Sequence, residues 1–220
     1  MPLAAVIFDF DGVVIDSHDA HGRSWFALAG ELGHELTHET FVSTFGQRNE
    51  SILPFLGWAE EGDRERIQQL GDRKEGLYRE ILRGEGIEPL AGVVALLKEL
   101  KADGIPCAIG TSTPRANVEC VLEITGLAEY FTDIAASEDV SRGKPDPEVF
   151  LKAAAKLGAE PASCVVIEDA QVGIRAARAA GMRAVAVTTT HPAEALAPES
   201  PDRIAASLEE VSVPFLRGLW

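Results

Sequence analysis

The sequence predicts an α/β fold, a doubly wound parallel sheet of the Rossmann-like type with an inserted α-helical domain. Two observations support this prediction. Short and nearly continuous apolar runs alternate with segments of helical periodicity, as in parallel sheets that are covered by helices on both faces. After the first run, residues 17–88 carry helical patterns but no run typical of a strand, and this stretch is far longer than an ordinary βα connection. We therefore expect a core of residues 1–16 and 89–220, interrupted by a helical domain of residues 17–88.

Six apolar runs are the predicted strands. They are short, rich in β-branched or small residues, and continuous rather than alternating, which is typical of buried parallel strands. They lie at residues 3–8, 105–110, 132–136, 163–167, 183–187 and 203–206.

Helical patterns separate these runs. In the core they cover residues 93–102, 117–124, 147–157 and 174–180, and in the insertion they cover residues 24–32, 38–45 and 65–82. The pairs Thr113-Pro114 and Asp146-Pro147 each predict a helix start at which a capping residue precedes a proline in the first helical position.

The composition restricts the class of ligand. The chain has 220 residues and a formal net charge of −15, which disfavours nucleic acid and anionic lipid as partners because both require a basic surface. A small phosphorylated ligand needs only a few local cations. The three cysteines form no CxxC pair and indicate neither a disulfide framework nor a zinc site. No apolar run approaches the roughly 20 residues of a membrane span, so we expect a cytoplasmic protein without membrane contact.

Acidic and hydroxyl side chains follow the ends of the predicted strands. In an open α/β sheet, ligands bind beyond the carboxyl ends of the strands, where side chains from separate segments meet. A lysine in the loop after the third strand would join them. The residues expected at this edge of the sheet are Asp9, Asp11, Thr111, Ser112, Lys144, Glu168 and Asp169.

These residue types together indicate phosphoryl transfer. Clustered carboxylates repel one another unless a cation lies between them, and a set of oxygen ligands favours Mg²⁺. Lys144 adds a positive charge for a phosphate, and Thr111 offers a hydroxyl at the start of a helix. Each motif alone has a simpler interpretation. Residues 9–12 could be a turn, and Lys144 could be a solvated charge. Glu168-Asp169 and Thr113 could each be a helix cap. Their combination, in order and at strand ends, favours a catalytic site.

Four segments resemble the motifs of a known family. DFDGVVIDS, GTSTPR, RGKPDPEVF and VIEDAQVGI are similar, in this order and over essentially the whole chain, to the four motifs of the haloacid dehalogenase superfamily of phosphotransferases. The resemblance is greatest to its β-phosphoglucomutase-like phosphatases. It implies that the inserted helical segment is a mobile cap, that Asp9 is the nucleophile forming an aspartyl-phosphate, and that Asp11 is the general acid and base.

The resemblance also implies the ligands of the metal and of the phosphate. Mg²⁺ would be held by Asp9, by Asp11 through its main-chain carbonyl, and by Asp169, with Glu168 as a ligand or directly behind the ligands. The phosphoryl group would be held by the hydroxyl segment Thr111-Ser112 together with Lys144.

Three residues of the insertion are candidates for substrate contact. His21 falls at the first crossing into the insertion, and Arg48 and Lys74 occupy positions where the subgroup places cations facing the substrate. Each could instead be a surface polar or solvated helix residue, and Trp25 is expected in the core of the insertion. Around Arg48 the chain reads GQRNES, whereas mutases carry a Ser-Arg pair just beyond the glycine. This difference weakens a mutase assignment.

The sequence therefore predicts a Mg²⁺-dependent phosphatase that acts on a small phosphorylated metabolite such as a sugar phosphate. β-Phosphoglucomutase is the alternative reaction, and a non-catalytic binding protein is the remaining class. Residues 34–38 also match the HExxH pattern of zinc peptidases, but Gly33 and the capping residue Thr37 predict that His34 and His38 lie on different elements. The GTSTP segment lacks the second glycine of a nucleophile elbow, and no phosphate-binding loop of the GxxxxGK[ST] type occurs.

Overall fold

The structure is a computed structural model that describes residues 3–44 and 47–220. It divides into two compact units. One unit consists of the chain up to Asp16 together with Ile87–Trp220, and the other is Ser17–Gly86. The second crossing between the units thus lies at residues 86/87, two residues before the position expected from the sequence.

The larger unit is built on a parallel sheet, which confirms the predicted fold class. Within the described ranges the sheet has six strands in the order β3-β2-β1-β4-β5-β6, and every neighbouring pair is parallel. Each strand overlaps one of the six predicted apolar runs. The strands are β1 (Ala5–Phe8), β2 (Cys107–Gly110), β3 (Asp133–Ala135), β4 (Cys164–Glu168), β5 (Arg183–Val187) and β6 (Arg203–Ala205).

The position of β1 determines where the site forms. Phe8, near its end, pairs with Ile109 of β2 on one side and with Ile167 of β4 on the other. All four residues of β1 and all five of β4 are buried, because helices cover both faces of the sheet. The chain segments that leave β1, β2 and β4 consequently emerge next to one another at the carboxyl edge of the sheet.

The helices of this unit are α5 (Val93–Ala102), α6 (Arg115–Thr125), α7 (Glu148–Lys156), α8 (Gln171–Ala179), α9 (Ala193–Leu196) and α10 (Val213–Arg217). Helices α6 and α8 begin two and three residues earlier than predicted, α7 begins one residue later, and α5 begins at the predicted residue. The prediction that proline takes the first helical position of α6 and α7 is wrong, since Pro114 and Pro147 are the N-cap residues. Thr113 does not cap α6 because its hydroxyl donates to Asp11 instead.

The edge strand β3 is covered by charged side chains. The Ile134 N–H donates to Asp133 Oδ1 at 2.8 Å, and the Ile134 carbonyl accepts from Arg115 Nη2 and Lys156 Nζ, both at 2.9 Å. The same side chains form ion pairs, Lys156 with Asp133 at 2.7 Å and Arg115 with Asp139 at 2.6 Å. The peptide groups of an open edge strand can form hydrogen bonds with a strand of another chain. In β3 these side chains already occupy the Ile134 N–H and carbonyl, which disfavours such pairing.

The smaller unit is helical in its described part. Its helices are α1 (His18–Leu32), α2 (His38–Thr44), α3 (Asn49–Phe55) and α4 (Arg64–Glu85). They pack around an apolar cluster that includes Trp25, Leu28, Phe41 and Leu70, so the prediction that Trp25 belongs to the core of the insertion is confirmed.

Helix α1 begins six residues before the predicted start at Ser24, and His21 therefore lies inside a helix and not in a hinge loop. The apolar stripe extends back to Ala20, which is buried on the same face as Ser24 and Leu28. Gly22 allows α1 to pack closely against Phe41, since a Cβ atom at this position would lie 3.0 Å from the Phe41 ring.

The two histidines of the HExxH pattern lie on different elements, as predicted. His34 follows Gly33, the C-cap of α1, and stacks on Trp58 with ring centroids 5.7 Å apart. His38 is the first residue of α2, and Thr37 Oγ1 accepts a hydrogen bond from the Thr40 N–H at 3.1 Å. The predicted end of this helix at Phe45, and the glycine of the GQRNES segment, Gly46, lie outside the described residues. None of the helices in the described ranges is both long enough and apolar enough for a transmembrane segment.

Candidate active site

Three carboxylates meet where β1 and β4 end. Asp9 directly follows β1, and its N–H donates to the Ile167 carbonyl of β4 at 2.9 Å. Glu168 is the last residue of β4, and Asp169 follows it. One oxygen from each carboxylate lies within 4.8 Å of the others, and all three residues are buried. Neighbouring parallel strands thus bring together acids that are about 160 positions apart in the sequence.

Lys144 is the cation of this cluster. Its Nζ lies 2.7 Å from Asp9 Oδ1 and 2.6 Å from Glu168 Oε1, and only 6% of its side chain is exposed. Burial by itself would lower the pKa of Lys144, but the charges of Asp9 and Glu168 outweigh burial and raise it. Lys144 is therefore charged and fixed, and the interpretation of Lys144 as a solvated loop charge is wrong.

Glu168 is held from two directions. Its Oε2 accepts hydrogen bonds from the N–H groups of Asp169 and Ala170, both at 2.8 Å, while Oε1 binds Lys144. Gly173 in α8 makes room for it, since a Cβ atom at Gly173 would lie 1.6 Å from Glu168 Oε1. Both carboxylate oxygens of Glu168 are therefore bound, and the helix packs directly against them.

The acid cluster carries unfavourable charge. Burial raises the pKa of Asp169 to about 8, and the nearby carboxylates of Glu168 and Asp9 contribute to the rise. Burial likewise raises the pKa of Glu168, against the opposing effect of Lys144. A further cation beside Glu168 and Asp169 would favour their ionised forms, which is the electrostatic property of a metal site.

The Asp11 carboxylate is not one of the three grouped carboxylates, although it lies at the same edge of the sheet. Its Oδ2 accepts a hydrogen bond from the Thr113 hydroxyl. The Thr113 N–H in turn donates to Thr111 Oγ1 at 3.1 Å. Thr111 and Thr113 are both buried, whereas Ser112 between them is exposed. The segment after β2 therefore orients Asp11, and Thr113, which the sequence suggested only as a helix cap, belongs to the site.

Two threonines after β5 also reach the site, and the sequence analysis missed them. The Thr189 hydroxyl donates to the main-chain carbonyl of Gly12, and the Thr190 hydroxyl bonds the Asp169 carboxylate. Gly12 has φ +80°, and a Cβ atom there would lie 2.1 Å from Asp169 Oδ2. The rule that ligands lie beyond strand ends, applied to the fifth strand as well, would have found these threonines.

Two of the three candidate substrate residues lie together within the smaller unit. Lys74 Nζ is 2.7 Å from His21 Nδ1 and 3.1 Å from Glu75 Oε1, and the His21 ring stacks on Tyr78 with centroids 4.1 Å apart. The Lys74 side chain is only 3% exposed, so its interpretation as a solvated helix charge is wrong. Burial, followed by the charge of Lys74, lowers the pKa of His21 well below 6.5. Arg48 is exposed and directly precedes α3.

Comparisons with known proteins identify the family. The haloacid dehalogenase-like hydrolase family model matches residues 3–181, so the chain belongs to this family. The chain is 33% identical over 184 residues to the fructose-1-phosphate phosphatase YqaB of Escherichia coli (strain K12), covering 84% of this chain and 96% of that protein. It is 34% identical over 195 residues to the β-phosphoglucomutase of Bacillus subtilis (strain 168), covering 86% of this chain and 85% of that protein. The crystal structure of a family IA, variant 3 hydrolase from Entamoeba histolytica superposes with a TM-score of 0.89 at 28% identity, covering 100% and 99% of the two chains.

Proposed function

We propose that this chain is a Mg²⁺-dependent phosphatase that hydrolyses a small sugar phosphate through an aspartyl-phosphate on Asp9. Within its family the chain is a phosphoric monoester hydrolase, as the named phosphatase among its relatives supports. The observation that carries the proposal is the position of the Asp9 carboxylate. It lies 2.7 Å from the Lys144 ammonium and belongs to the buried cluster with Glu168 and Asp169.

The reaction would proceed in two displacements. In the first, the Asp9 oxygen that does not bind Lys144 attacks phosphorus, the bond from phosphorus to the sugar oxygen breaks, and Asp11 gives that oxygen a proton. In the second, Asp11 takes a proton from water, the water oxygen attacks phosphorus, and the Asp9–phosphorus bond breaks. The enzyme then returns to its starting protonation state with inorganic phosphate as product.

The chain's own groups support both steps. The Thr113 hydroxyl donates to Asp11 and so orients the carboxyl group that must reach the leaving oxygen. Lys144 places a positive charge against Asp9 and would neutralise the charge of the transferring phosphoryl group. The catalytic role of Thr111 and Ser112 in binding that group stays a prediction.

The acid cluster fits Mg²⁺. Asp9, Asp169 and the main-chain carbonyl of Asp11 would hold the ion, with Glu168 beside them, and these are the hard oxygen donors that Mg²⁺ requires. Burial and the neighbouring carboxylates raise the pKa of Asp169, which means that its ionised form is unfavourable in the protein. A bound cation would stabilise that ionised form. When bound, the ion supplies positive charge to the phosphoryl oxygens.

The role of the smaller unit as a substrate-selecting cap stays a proposal, as do the substrate contacts of His21, Arg48 and Lys74. The identity of the acceptor is also open to test. A β-phosphoglucomutase transfers the phosphoryl group to a sugar hydroxyl, and the B. subtilis enzyme of that name is 34% identical to this chain. We favour water as the acceptor because the GQRNES segment departs from the mutase pattern.

A substrate panel tests the proposal. The purified protein is incubated with sugar and polyol monophosphates, with and without Mg²⁺, and released phosphate is measured; β-glucose 1-phosphate with catalytic glucose 1,6-bisphosphate forms the mutase arm. Mg²⁺-dependent release that Asp9→Asn abolishes supports the phosphatase. Isomerisation without release supports the mutase, and neither reaction on any substrate would leave a binding protein as the remaining class.

A further inference from the structure

Glu148 binds the loop that carries Lys144. It is the first residue of α7, and its Oε2 accepts three hydrogen bonds from residues on the other side of that loop. These are the Ser141 N–H at 3.0 Å, the Ser141 hydroxyl at 2.8 Å and the Arg142 N–H at 3.1 Å. One carboxylate oxygen therefore closes the chain between Ser141 and α7 into a loop.

The other oxygen of Glu148 keeps this carboxylate ionised. Oε1 pairs with Lys152, one helical turn further along α7, at 2.9 Å. Lys152, the Ser141 hydroxyl and the Arg142 N–H lower the pKa of Glu148 to about 2. Hydrogen bonds from N–H groups to an ionised carboxylate are roughly twice as strong as neutral ones, so this attachment is firm for a surface loop.

Asp146 fastens the remaining side of the loop. Its Oδ1 accepts from the Glu148 N–H at 3.0 Å, its Oδ2 pairs with Arg142 Nε at 3.0 Å, and its own N–H donates to the Gly143 carbonyl at 3.0 Å. Lys144 thus lies between two points at which the loop is bound, with Glu148 involved in both.

The position of Lys144 depends on this loop. A lysine side chain is long and flexible, so a loop that fixes its Cα atom favours the contacts with Asp9 at 2.7 Å and Glu168 at 2.6 Å. We propose that Glu148 is a positioning residue, which holds the loop so that the Lys144 ammonium stays against Asp9. The expected loss of catalytic activity rests on the proposed function of Lys144. The expected change in the position of Lys144 does not depend on that function.

Amine labelling of Lys144 tests the positioning directly and needs no substrate. The rate of acetylation of Lys144 by acetic anhydride, relative to the exposed Lys98, is measured by mass spectrometry in the wild type, Glu148→Ala and Glu148→Gln. We expect Lys144 to react about 10-fold faster in Glu148→Ala, since the charged hydrogen bonds that hold the loop are lost. The Gln variant keeps an acceptor oxygen and should remain closer to the wild type. Glu129→Ala removes another lysine-paired glutamate, an exposed one that binds Lys101 away from this loop, and should change nothing.

A double-mutant cycle separates positioning from general damage to the fold. Glu148→Ala should lower kcat/KM about 10-fold when Lys144 is present and less than about twofold in the Lys144→Ala background. Unchanged labelling of Lys144, or an equal loss of kcat/KM in both backgrounds, would overturn the proposal. If the wild type releases no phosphate, the proposed function fails, and the labelling rates still decide whether Glu148 holds Lys144.

Discussion

Gly173 lies in α8 directly against the carboxylate of Glu168, and replacing it with alanine perturbs the site without changing any charge. The added Cβ atom would lie 1.6 Å from Glu168 Oε1 and 2.5 Å from Oε2. The carboxylate is the flexible end of its side chain and can move, but only by leaving Lys144 at 2.6 Å or the N–H groups of Asp169 and Ala170 at 2.8 Å. We therefore expect Gly173→Ala to break part of this arrangement.

The size of the effect follows from the bonds that Glu168 must give up. A hydrogen bond to a charged group contributes about 1.5–3 kcal/mol, so the loss of two costs about 4 kcal/mol. Alanine is better than glycine in a helix by up to about 1 kcal/mol, which acts in the opposite direction. The net loss in the free energy of unfolding is then about 3 kcal/mol, or a fall of about 6–12 °C in Tm for a chain of this size.

Urea denaturation and phosphate release measure the two consequences of Gly173→Ala. Misplacing a catalytic group by about 1 Å can cost about 100-fold in rate, and we expect a loss of kcat/KM of that order. Gly30→Ala in α1 is the matched control, because a Cβ atom there meets nothing within 4 Å. It should be as stable as the wild type or slightly more so, and fully active. A Gly173→Ala protein with the stability and activity of the wild type would refute the tight packing of Glu168.

Three other properties are expected to respond to defined changes. Mg²⁺ at about 100 times its Kd should stabilise the protein by about 2.7 kcal/mol in calorimetry, and Asp169→Asn should remove most of this gain. Burial alone would raise the pKa of Asp202, but the Ala184 amide and two neighbouring arginine side chains outweigh it and lower this pKa below 3.8. The folded state then binds fewer protons than the unfolded one, so the stability from Asp202 is present at neutral pH and is lost as the pH falls from about 5 through the lowered pKa. In Asp202→Asn, the free energy of unfolding, measured by urea denaturation at a series of pH values, should fall less steeply at low pH. Replacing both Arg115 and Lys156 by alanine should uncover the peptide groups of β3 and cause concentration-dependent association in sedimentation velocity.

Each of these expectations has its own contrary result. An equal Mg²⁺ shift in wild type and Asp169→Asn would mean that the ion binds elsewhere. If stability falls at low pH as steeply in Asp202→Asn as in the wild type, Asp202 does not contribute to the pH dependence. For the edge strand, adding Ile134→Pro deletes the N–H on the open side and should reverse the association. Association that persists in that triple variant would point to a surface other than β3.

The sheet was predictable because buried parallel strands leave a direct mark on the sequence. Runs such as AVIF in β1 and RAVAV in β5 are apolar on both faces and end at polar residues. The strand-end rule then brought Asp9, Lys144 and Glu168 to one edge without any knowledge of distances. Helix starts were less predictable, since α1 begins at His18, where buried alanine and glycine positions extend the packed face beyond the apolar pattern.

The supporting residues were not predictable from local patterns. Thr113 bonds Asp11 across 102 positions, and a threonine before a proline looks like a helix cap. Glu148 is close to Lys144 in sequence, but its function depends on the loop turning back so that Ser141 reaches its carboxylate. Gly173 belongs to the VIEDAQVGI motif, but the motif does not indicate its contact with the Glu168 carboxylate, which only the folded structure shows. Such contacts follow from the packed fold and not from composition or periodicity.

Chemical trapping tests directly whether Asp9 becomes phosphorylated during turnover. The protein is mixed with Mg²⁺ and the sugar phosphate that it hydrolyses fastest, quenched in acid during turnover, reduced with borohydride and analysed by tandem mass spectrometry. Borohydride reduces an acyl phosphate to the alcohol, so we expect conversion of the side chain at position 9, only in the presence of substrate. Turnover without any modification of Asp9, or with trapping at a different residue, would contradict this expectation.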